Sequence, residues 1–425
     1  MPGLVAEYLE HVMSGMEQGD YDVIVAGAGP AGLAAAALCA EQGLRTAIVT
    51  GPVDPFEKRH DPRTIALMRP SVKLLEHLEL FEPLKPVSNP LRKLRLVDDT
   101  GGIFTAPTVT FNAREAGWDA FGWNIPLEDL HPALAEKAKE LGVEFIRDSA
   151  TGVGPERKRI ARLRLESGTE LSAPVIIAAD GRNSRVRGSA GMVMLRYDYD
   201  QVALGCFFDH SAPHDDMSTE YHKPQGPFTT VPMPGRRSSL VWMVKPEKAR
   251  EIMQLRPEQL ARRIQIESHG DLGRISSPTE LKSFPMQTMV AHDFAKDRVI
   301  LVGEAAHAVP PIGAQGLNMS LRDAALAAEL IGDAFAFGDD WGGEKVMHDY
   351  DRIRRRDVFP RKMAIHVVNT ALLSNFLPYQ MVRAGAITLA AKVPFIRDII
   401  MRQGLAPSNE HVPRIMREEE MAGAA

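Results

Sequence analysis

Residues 21–32 read Tyr21-Asp22-Val23-Ile24-Val25-Ala26-Gly27-Ala28-Gly29-Pro30-Ala31-Gly32. The first six are mostly β-branched and apolar, as a strand buried in a parallel sheet should be. Gly27 permits a tight turn after that strand. Gly29 has no Cβ, so its backbone can approach a pyrophosphate, and Gly32 lets the next helix pack close to the sheet. The alanine-rich run Leu33–Ala40 reads as that helix, and Gly43 is placed to end it. Arg45–Val49 supplies a second strand and closes a βαβ unit. A helix start offers free N–H donors and a partial positive charge to phosphates. Gly27, Ala28, Gly29, Pro30, Ala31 and Gly32 are therefore the expected cradle for a dinucleotide diphosphate. An acidic residue is expected about 20 residues later, on the ribose hydroxyls. Here Thr50 follows the second strand, and it takes that role with a hydroxyl in place of a charge.

Further buried strands are expected at Val175–Ala179 and Arg298–Val302. Each runs into another glycine motif. Ile160–Leu171 reads as a hairpin around Ser167-Gly168. Residues from Met192 to Val244 read as short strands, Ser239–Val244 the clearest of them. Ser71–Phe81 and Lys248–Glu267 carry helical spacing, and a long helix is expected from Asn318 to Phe337. The remainder reads as mostly helical. This order implies an α/β protein. A Rossmann-like domain is built from separated pieces, 20–90, 125–190 and 295–335. It is interrupted by a mainly β-sheet domain, 91–124 and 191–294, and followed by a helical C-terminal region, 336–425.

The 425 residues allow two to four domains. Hydrophobic residues at 44% and charged residues at 25% exclude global disorder and low-complexity chains. A net charge of −5 argues against a nucleic-acid protein. Two cysteines, Cys39 and Cys206, allow no disulfide framework and suit a reducing compartment. Met1–Asp20 lacks a basic region of the kind that opens a secretory signal, and no run reaches the roughly 20 apolar residues that span a bilayer. A cytoplasmic location is expected, with peripheral contact at the inner face of a membrane left open. No metal-ligand cluster is visible.

The first motif alone does not separate NAD from FAD. Two later motifs do. Asp180-Gly181-Arg182-Asn183-Ser184-Arg185-Val186-Arg187 follows one buried strand, and Gly303-Glu304-Ala305-Ala306-His307 through Pro310-Pro311-Ile312-Gly313-Ala314-Gln315-Gly316-Leu317-Asn318 follows another. Together with residues 27–32 they resemble the three fingerprints of the p-hydroxybenzoate hydroxylase-like FAD monooxygenases. Within that class the chain most resembles the ubiquinone-biosynthesis hydroxylases, the UbiH family. Asp61–Leu67 and Pro310–Asp323 carry that likeness, with Gly226-Pro227-Phe228 and the arginine-rich Tyr350–Arg356 in support.

The resemblance implies that residues 27–32 hold the FAD pyrophosphate and that Arg63 contacts FAD. Asp180 and Gly181 would serve FAD and a reduced nicotinamide, NADPH or NADH. Gly303 and Glu304 would lie at the ribityl chain, although the family usually has aspartate at the second position. Leu317 and Asn318 would lie at the flavin's pyrimidine edge. Gly313 and Gly316 leave the loop backbone free to approach a ring, and the helix after them aims its positive end there. Pro311 is implied to contact the substrate hydroxyl. The implied reaction uses O2 as co-substrate and hydroxylates an apolar phenol, a prenylated precursor of ubiquinone. Its tail calls for access from a membrane or from a ubiquinone-biosynthesis complex, and Leu372, Leu373, Phe376 and Leu377 are the candidate entrance. A hydroxylase of a soluble aromatic, a flavin reductase of prenyl groups, and a non-catalytic flavin-fold assembly subunit stay open, the last because of Thr50 and Glu304. His307 reads as structural and Cys39 as packing. Trp118 and Trp123 read as core or pocket wall, and Arg352, Arg354, Arg355 and Arg356 as a solvated face.

Overall fold

A computed structural model describes residues 19–101, 106–154, 159–373 and 412–417, with 364–373 described by backbone only. The apolar run after Asp22 forms β1 (Val23–Ala26), with all four side chains fully buried. Helix α1 (Pro30–Glu41) opens on Pro30, where the missing N–H would be unsatisfied anyway. It therefore starts three residues before the expected Leu33. Ala31–Cys39 are buried throughout, because this helix is covered on every side. β2 (Thr46–Val49) follows and pairs parallel with β1. Next come β3 (Thr64–Met68), β4 (Gly122–Pro126), α2 (Leu127–Glu140), β5 (Glu144–Ile146) and β6 (Val175–Ala178). The chain continues through β7 (Met194–His210), β8 (Gly226–Met233), β9 (Arg237–Val244), β10 (Lys282–Ala291), β11 (Val299–Leu301), α3 (Gln315–Ala336) and α4 (Glu344–Leu373).

One six-stranded sheet runs β11, β6, β1, β2, β5 in spatial order, with Ala295–Lys296 antiparallel at the β11 edge. The five named strands are parallel. Segments far apart in sequence meet in register, Ile24 beside Ile176 and Ile177 beside Ile300. A large mixed sheet contains β10, β7, β9 and β8 as antiparallel neighbours, then Met217–Lys223, Lys93–Asp98 and Val109–Asn112, with Met217–Lys223 and Lys93–Asp98 paired in parallel. Its outer face buries Leu204, Phe208, Phe228 and Trp242 against Ile252, Leu260 and Ile264.

The expected single helix over Lys248–Glu267 is two, Pro246–Met253 and Pro257–Glu267. Pro257 holds the preceding Arg256 extended (φ −65°, ψ 155°), which stops a helix from running through. The helix expected over Ser71–Phe81 ends at His77, and Glu79 turns left-handed before a short helix over Phe81–Leu84. The hairpin at 160–171 is present as Ala161–Leu165 and Glu170–Ala173, with Ala150–Val153 added as a third strand. Among the described residues no helix is long and apolar enough to cross a membrane. The side chains of Leu372, Leu373, Phe376 and Leu377 lie outside the described part.

Candidate active site

The strand order brings the three glycine motifs together. Residues 27–32 leave the carboxyl end of β1, Asp180-Gly181 that of β6, and Gly303-Glu304 that of β11, and these strands are neighbours. Ligands of open parallel sheets bind at such carboxyl ends.

The glycines of the first loop divide by what surrounds them. A Cβ on Gly27 (φ +106°) would lie 2.4 Å from the Ala179 carbonyl oxygen, and one on Gly32 would lie 2.0 Å from the Gly27 carbonyl oxygen. Both are required by the fold. Gly29 has ordinary extended backbone, and no described atom lies within 4 Å of a Cβ built there. The open side of the loop is therefore at Gly29, beside the N–H groups of Ala31 and Gly32 in the first turn of α1. From α2, His131 donates through Nε2 to the Ala28 carbonyl at 2.7 Å and fixes the loop from below.

In the second loop, Asp180 Oδ2 accepts from the Val186 N–H at 3.2 Å. Its Oδ1 is buried, and among the described residues nothing hydrogen-bonds it. Gly181 (φ +84°) has open space where a side chain would stand. Ser184 caps the short helix Arg185–Ser189 through the Arg187 N–H. Arg187 is buried and donates to the Arg182 carbonyl and the Ala305 carbonyl, each at 2.9 Å. It thus ties the second loop to the third.

At the third loop, Gly303 (φ +64°) packs against Ala31 and Ser320 and donates its N–H to Asp323 Oδ2 at 2.8 Å. His307 is buried, 2.7 Å from the same oxygen, and acts as a strut. Glu304 is half-exposed and takes Arg182 Nη2 at 2.8 Å. Arg63 is clasped by Asp61, at 2.8 Å through Nε and 2.6 Å through Nη2, and lies over the Phe284 ring at 5.1 Å. The Asp61 hydrogen bond holds the guanidinium's proton more tightly than usual, against burial, and nearby Glu304 adds to it. Thr50 donates its hydroxyl to the Gly51 carbonyl at 3.0 Å.

The loop before α3 ends in two left-handed residues, Gly313 (φ +63°) and Ala314 (φ +54°), so the helix begins at Gln315 rather than at Asn318. Gly313 and Gly316 have open space at their Cβ positions. Leu317 is half-buried against the core. Asn318 bonds the end of β3, accepting from the Met68 N–H and donating to the Ala66 carbonyl, both at 2.8 Å. Pro311 is exposed, and the adjacent Ile312 packs with Ala203, Met243 and Met286 of the large sheet.

Asp323 also forms an ion pair with Arg354 at 2.6 Å, and both side chains are fully buried. This corrects the solvated-face expectation for Arg354. Helix α4 packs on α3, and the buried carboxylate needs a cation. Arg352 stays outside, paired with Asp349. Arg355 joins Asp293 and Asp351, and Arg356 is exposed. Trp123 packs edge-on against Phe81 and Trp118 against Phe121, as pocket-wall or core residues do. Cys39 is buried, and burial pushes its thiol up to about 12.

These loops fit a dinucleotide that carries a ring. A diphosphate can approach at Gly29, the unpartnered Asp180 Oδ1 can accept from a ribose or ribityl hydroxyl, and the open backbone at Gly313 and Gly316 admits a flat ring before α3. A family model described as an FAD binding domain matches residues 20–361.

The chain belongs to that FAD-binding family. Its cofactor is FAD, and its architecture is that of the p-hydroxybenzoate hydroxylase-like monooxygenases. It is 28% identical over 408 residues to ubiquinone hydroxylase UbiL of Rhodospirillum rubrum, covering 93% of this chain and 92% of that one. It is 24% identical over 389 residues to 3-demethoxyubiquinol 3-hydroxylase of Escherichia coli, covering 90% and 97%. The crystal structure of p-nitrophenol 4-monooxygenase PnpA from Pseudomonas putida superposes with a TM-score of 0.71 at 18% identity, covering 93% of this chain and 99% of that one, and shows the shared fold.

Three residues that brace these loops escaped sequence reasoning in their roles: Asp323, Arg187 and His131. Asp323 and Arg187 lie inside the quoted motifs, and a charge at a position that should face the core was the available signal. His131 had none.

Proposed function

We propose that this protein is an FAD-dependent monooxygenase that hydroxylates the ring of a prenylated phenol during ubiquinone biosynthesis. One observation carries the substrate class. Ile312, next to Pro311, packs in an apolar layer with Ala203, Met243 and Met286, against Phe284 and Val309, and we read this layer as the wall of the substrate site. Its polar feature is the Tyr199 hydroxyl, 3.0 Å from Thr288 Oγ1. A phenol with an apolar substituent suits such a wall, and a charged aromatic does not. The names of the relatives point the same way.

When bound, FAD supplies the reduction and oxygen chemistry that protein side chains lack. The chain's own residues do the rest. Residues 27–32 and the start of α1 bind the diphosphate. Asp180 and Glu304 offer carboxylate acceptors to sugar hydroxyls, with Gly181 and Gly303 admitting the backbone between them. Arg63, held by Asp61 over the Phe284 ring, contacts the cofactor, and Asp180 and Gly181 also serve the reduced nicotinamide. The start of α3 favours negative charge at the ring edge. The apolar layer excludes water, and the Pro311 carbonyl orients the substrate hydroxyl. A long apolar tail would arrive from a membrane surface or from a complex that handles lipid intermediates.

The test combines two measurements. Purified protein should be yellow, and a prenylated phenol should stimulate its NADPH or NADH oxidation and yield a product one oxygen heavier. A deletion strain should accumulate the precursor of that step. Colourless protein that stays colourless with added FAD would overturn this reading in favour of an assembly subunit. Unchanged quinone levels would overturn the pathway.

A further inference from the structure

Behind the start of α3 lies a buried cluster of charges. Asp323 pairs with Arg354 at 2.6 Å, Arg354 with Asp357 at 2.8 Å, and Asp357 also takes Arg322 at 3.3 Å and Arg361 at 2.7 Å. Arg322, Asp323, Arg354 and Asp357 are buried, and Arg361 is mostly so. Three guanidiniums thus face two carboxylates. Arg322 shows the surplus. Burial, and then repulsion from Arg361 and Arg354, lower its proton affinity to about 9 despite Asp357, yet it stays charged at neutral pH.

The surplus is directed at the flavin loop. Arg361 Nη1 lies 3.4 Å from Gln315 Oε1, and Gln315 Nε2 donates to the Gly313 carbonyl at 3.0 Å. Arg322, Arg361, Gln315 and Asn318 line one small recess with Met68 and Ser71.

We propose that Arg361 sets the charge balance of the flavin site. It shares Asp357 with Arg322 and Arg354, so the cluster keeps a net positive charge; Arg361 is the member that contacts Gln315, which holds the Gly313 loop, and it favours reduced, anionic FAD over oxidised FAD. The inference rests on FAD binding at the proposed site. A unit charge acting over about 10 Å of partly buried protein is worth roughly a factor of ten in an equilibrium. The cation stabilises the ring only after it gains negative charge, so oxidised FAD should bind nearly as well without it.

The experiment compares wild type, Arg361→Met and Arg361→Lys by flavin fluorescence titration and by reductive titration against a reference dye. Arg361→Met leaves Asp357 with Arg322 and Arg354, so the fold should hold. Its affinity for oxidised FAD should stay within threefold of wild type, while the affinity for reduced FAD falls about tenfold, a potential about 30 mV lower for a two-electron couple. Arg361→Lys should restore most of that shift. An unchanged potential in Arg361→Met, or an equal shift in Arg361→Lys, overturns the proposal. Should Arg361→Met not fold, Arg361→Gln, which stays polar and loses the charge, is read in the same way. Wild-type protein that takes up no FAD overturns the function reading and this inference with it. Wild type that binds FAD beside an unshifted Arg361→Met overturns this inference alone.

Discussion

Arg182 donates to Glu304 across a 2.8 Å gap and joins the loop after β6 to the turn after β11. Glutamate stands where the resembled family usually has aspartate. Its extra methylene reaches an arginine that belongs to the other motif. Both side chains are partly exposed, so the pair contributes little to stability, at most about 1 kcal/mol. Its effect is local: it neutralises a carboxylate beside the proposed cofactor site. Arg182→Ala should leave the melting temperature almost unchanged and weaken FAD binding several-fold, more at low salt than at high salt. Isothermal titration at two ionic strengths checks this, and equal affinity at both would separate the pair from cofactor binding.

The three glycines of the first loop should behave differently when changed to alanine. Gly32→Ala puts a Cβ 2.0 Å from a backbone oxygen. Backbone cannot yield cheaply, so a loss of about 3 kcal/mol or more is expected in urea unfolding. Gly27→Ala adds left-handed strain to a similar clash. Gly29→Ala meets no described atom and should fold as well as wild type, yet its Cβ occupies the open side of the cradle, so FAD affinity should fall at least tenfold. Normal FAD binding by Gly29→Ala would place the diphosphate elsewhere.

Asp323 controls acid stability. Burial pushes its carboxyl up, but Arg354, His307 and the Gly303 N–H outweigh that and hold it below the ordinary range. Asp357 is also held below the ordinary range, by Arg322, Arg354 and Arg361, again against burial. A depressed carboxyl contributes stability above its unfolded value, near pH 4, and loses it as pH falls through the folded value. Urea midpoints should therefore drop steeply below about pH 4. Asp323→Asn should cost about 3–5 kcal/mol at neutral pH, because it strips a buried guanidinium of its partner. It should also flatten the acid limb.

Cys39 and Cys206 are both buried, and burial pushes each thiol up to about 12. Neither should react with a disulfide reagent in native protein at pH 8, and both should react after unfolding. Above about pH 8.5 the unfolded chain gives up thiol protons that the native state keeps, so these groups make stability fall as pH rises. Fast native labelling would show that one of the two helices or strands around them opens readily.

Much of the site was legible in short stretches, because a strand–glycine–helix unit is local chemistry. Residues 21–32 determine their own turn through three glycines, two of which the surrounding backbone would reject as any other residue. The motifs at 180 and 303 announce themselves by the buried strands before them. What local sequence could not say is that β11, β6 and β1 lie side by side. Parallel neighbours are chosen by packing between segments well over a hundred residues apart, and only that choice places the three turns on one edge. The charges tell the same story. Arg352 and Arg354 look alike in a run of arginines, but α4 turns one toward water and the other into the core, where Asp323 waits for it. Burial depends on what a helix packs against, and so the structural role of Arg354 and the place of Arg361 beside Asp357 and Gln315 came only from the tertiary structure.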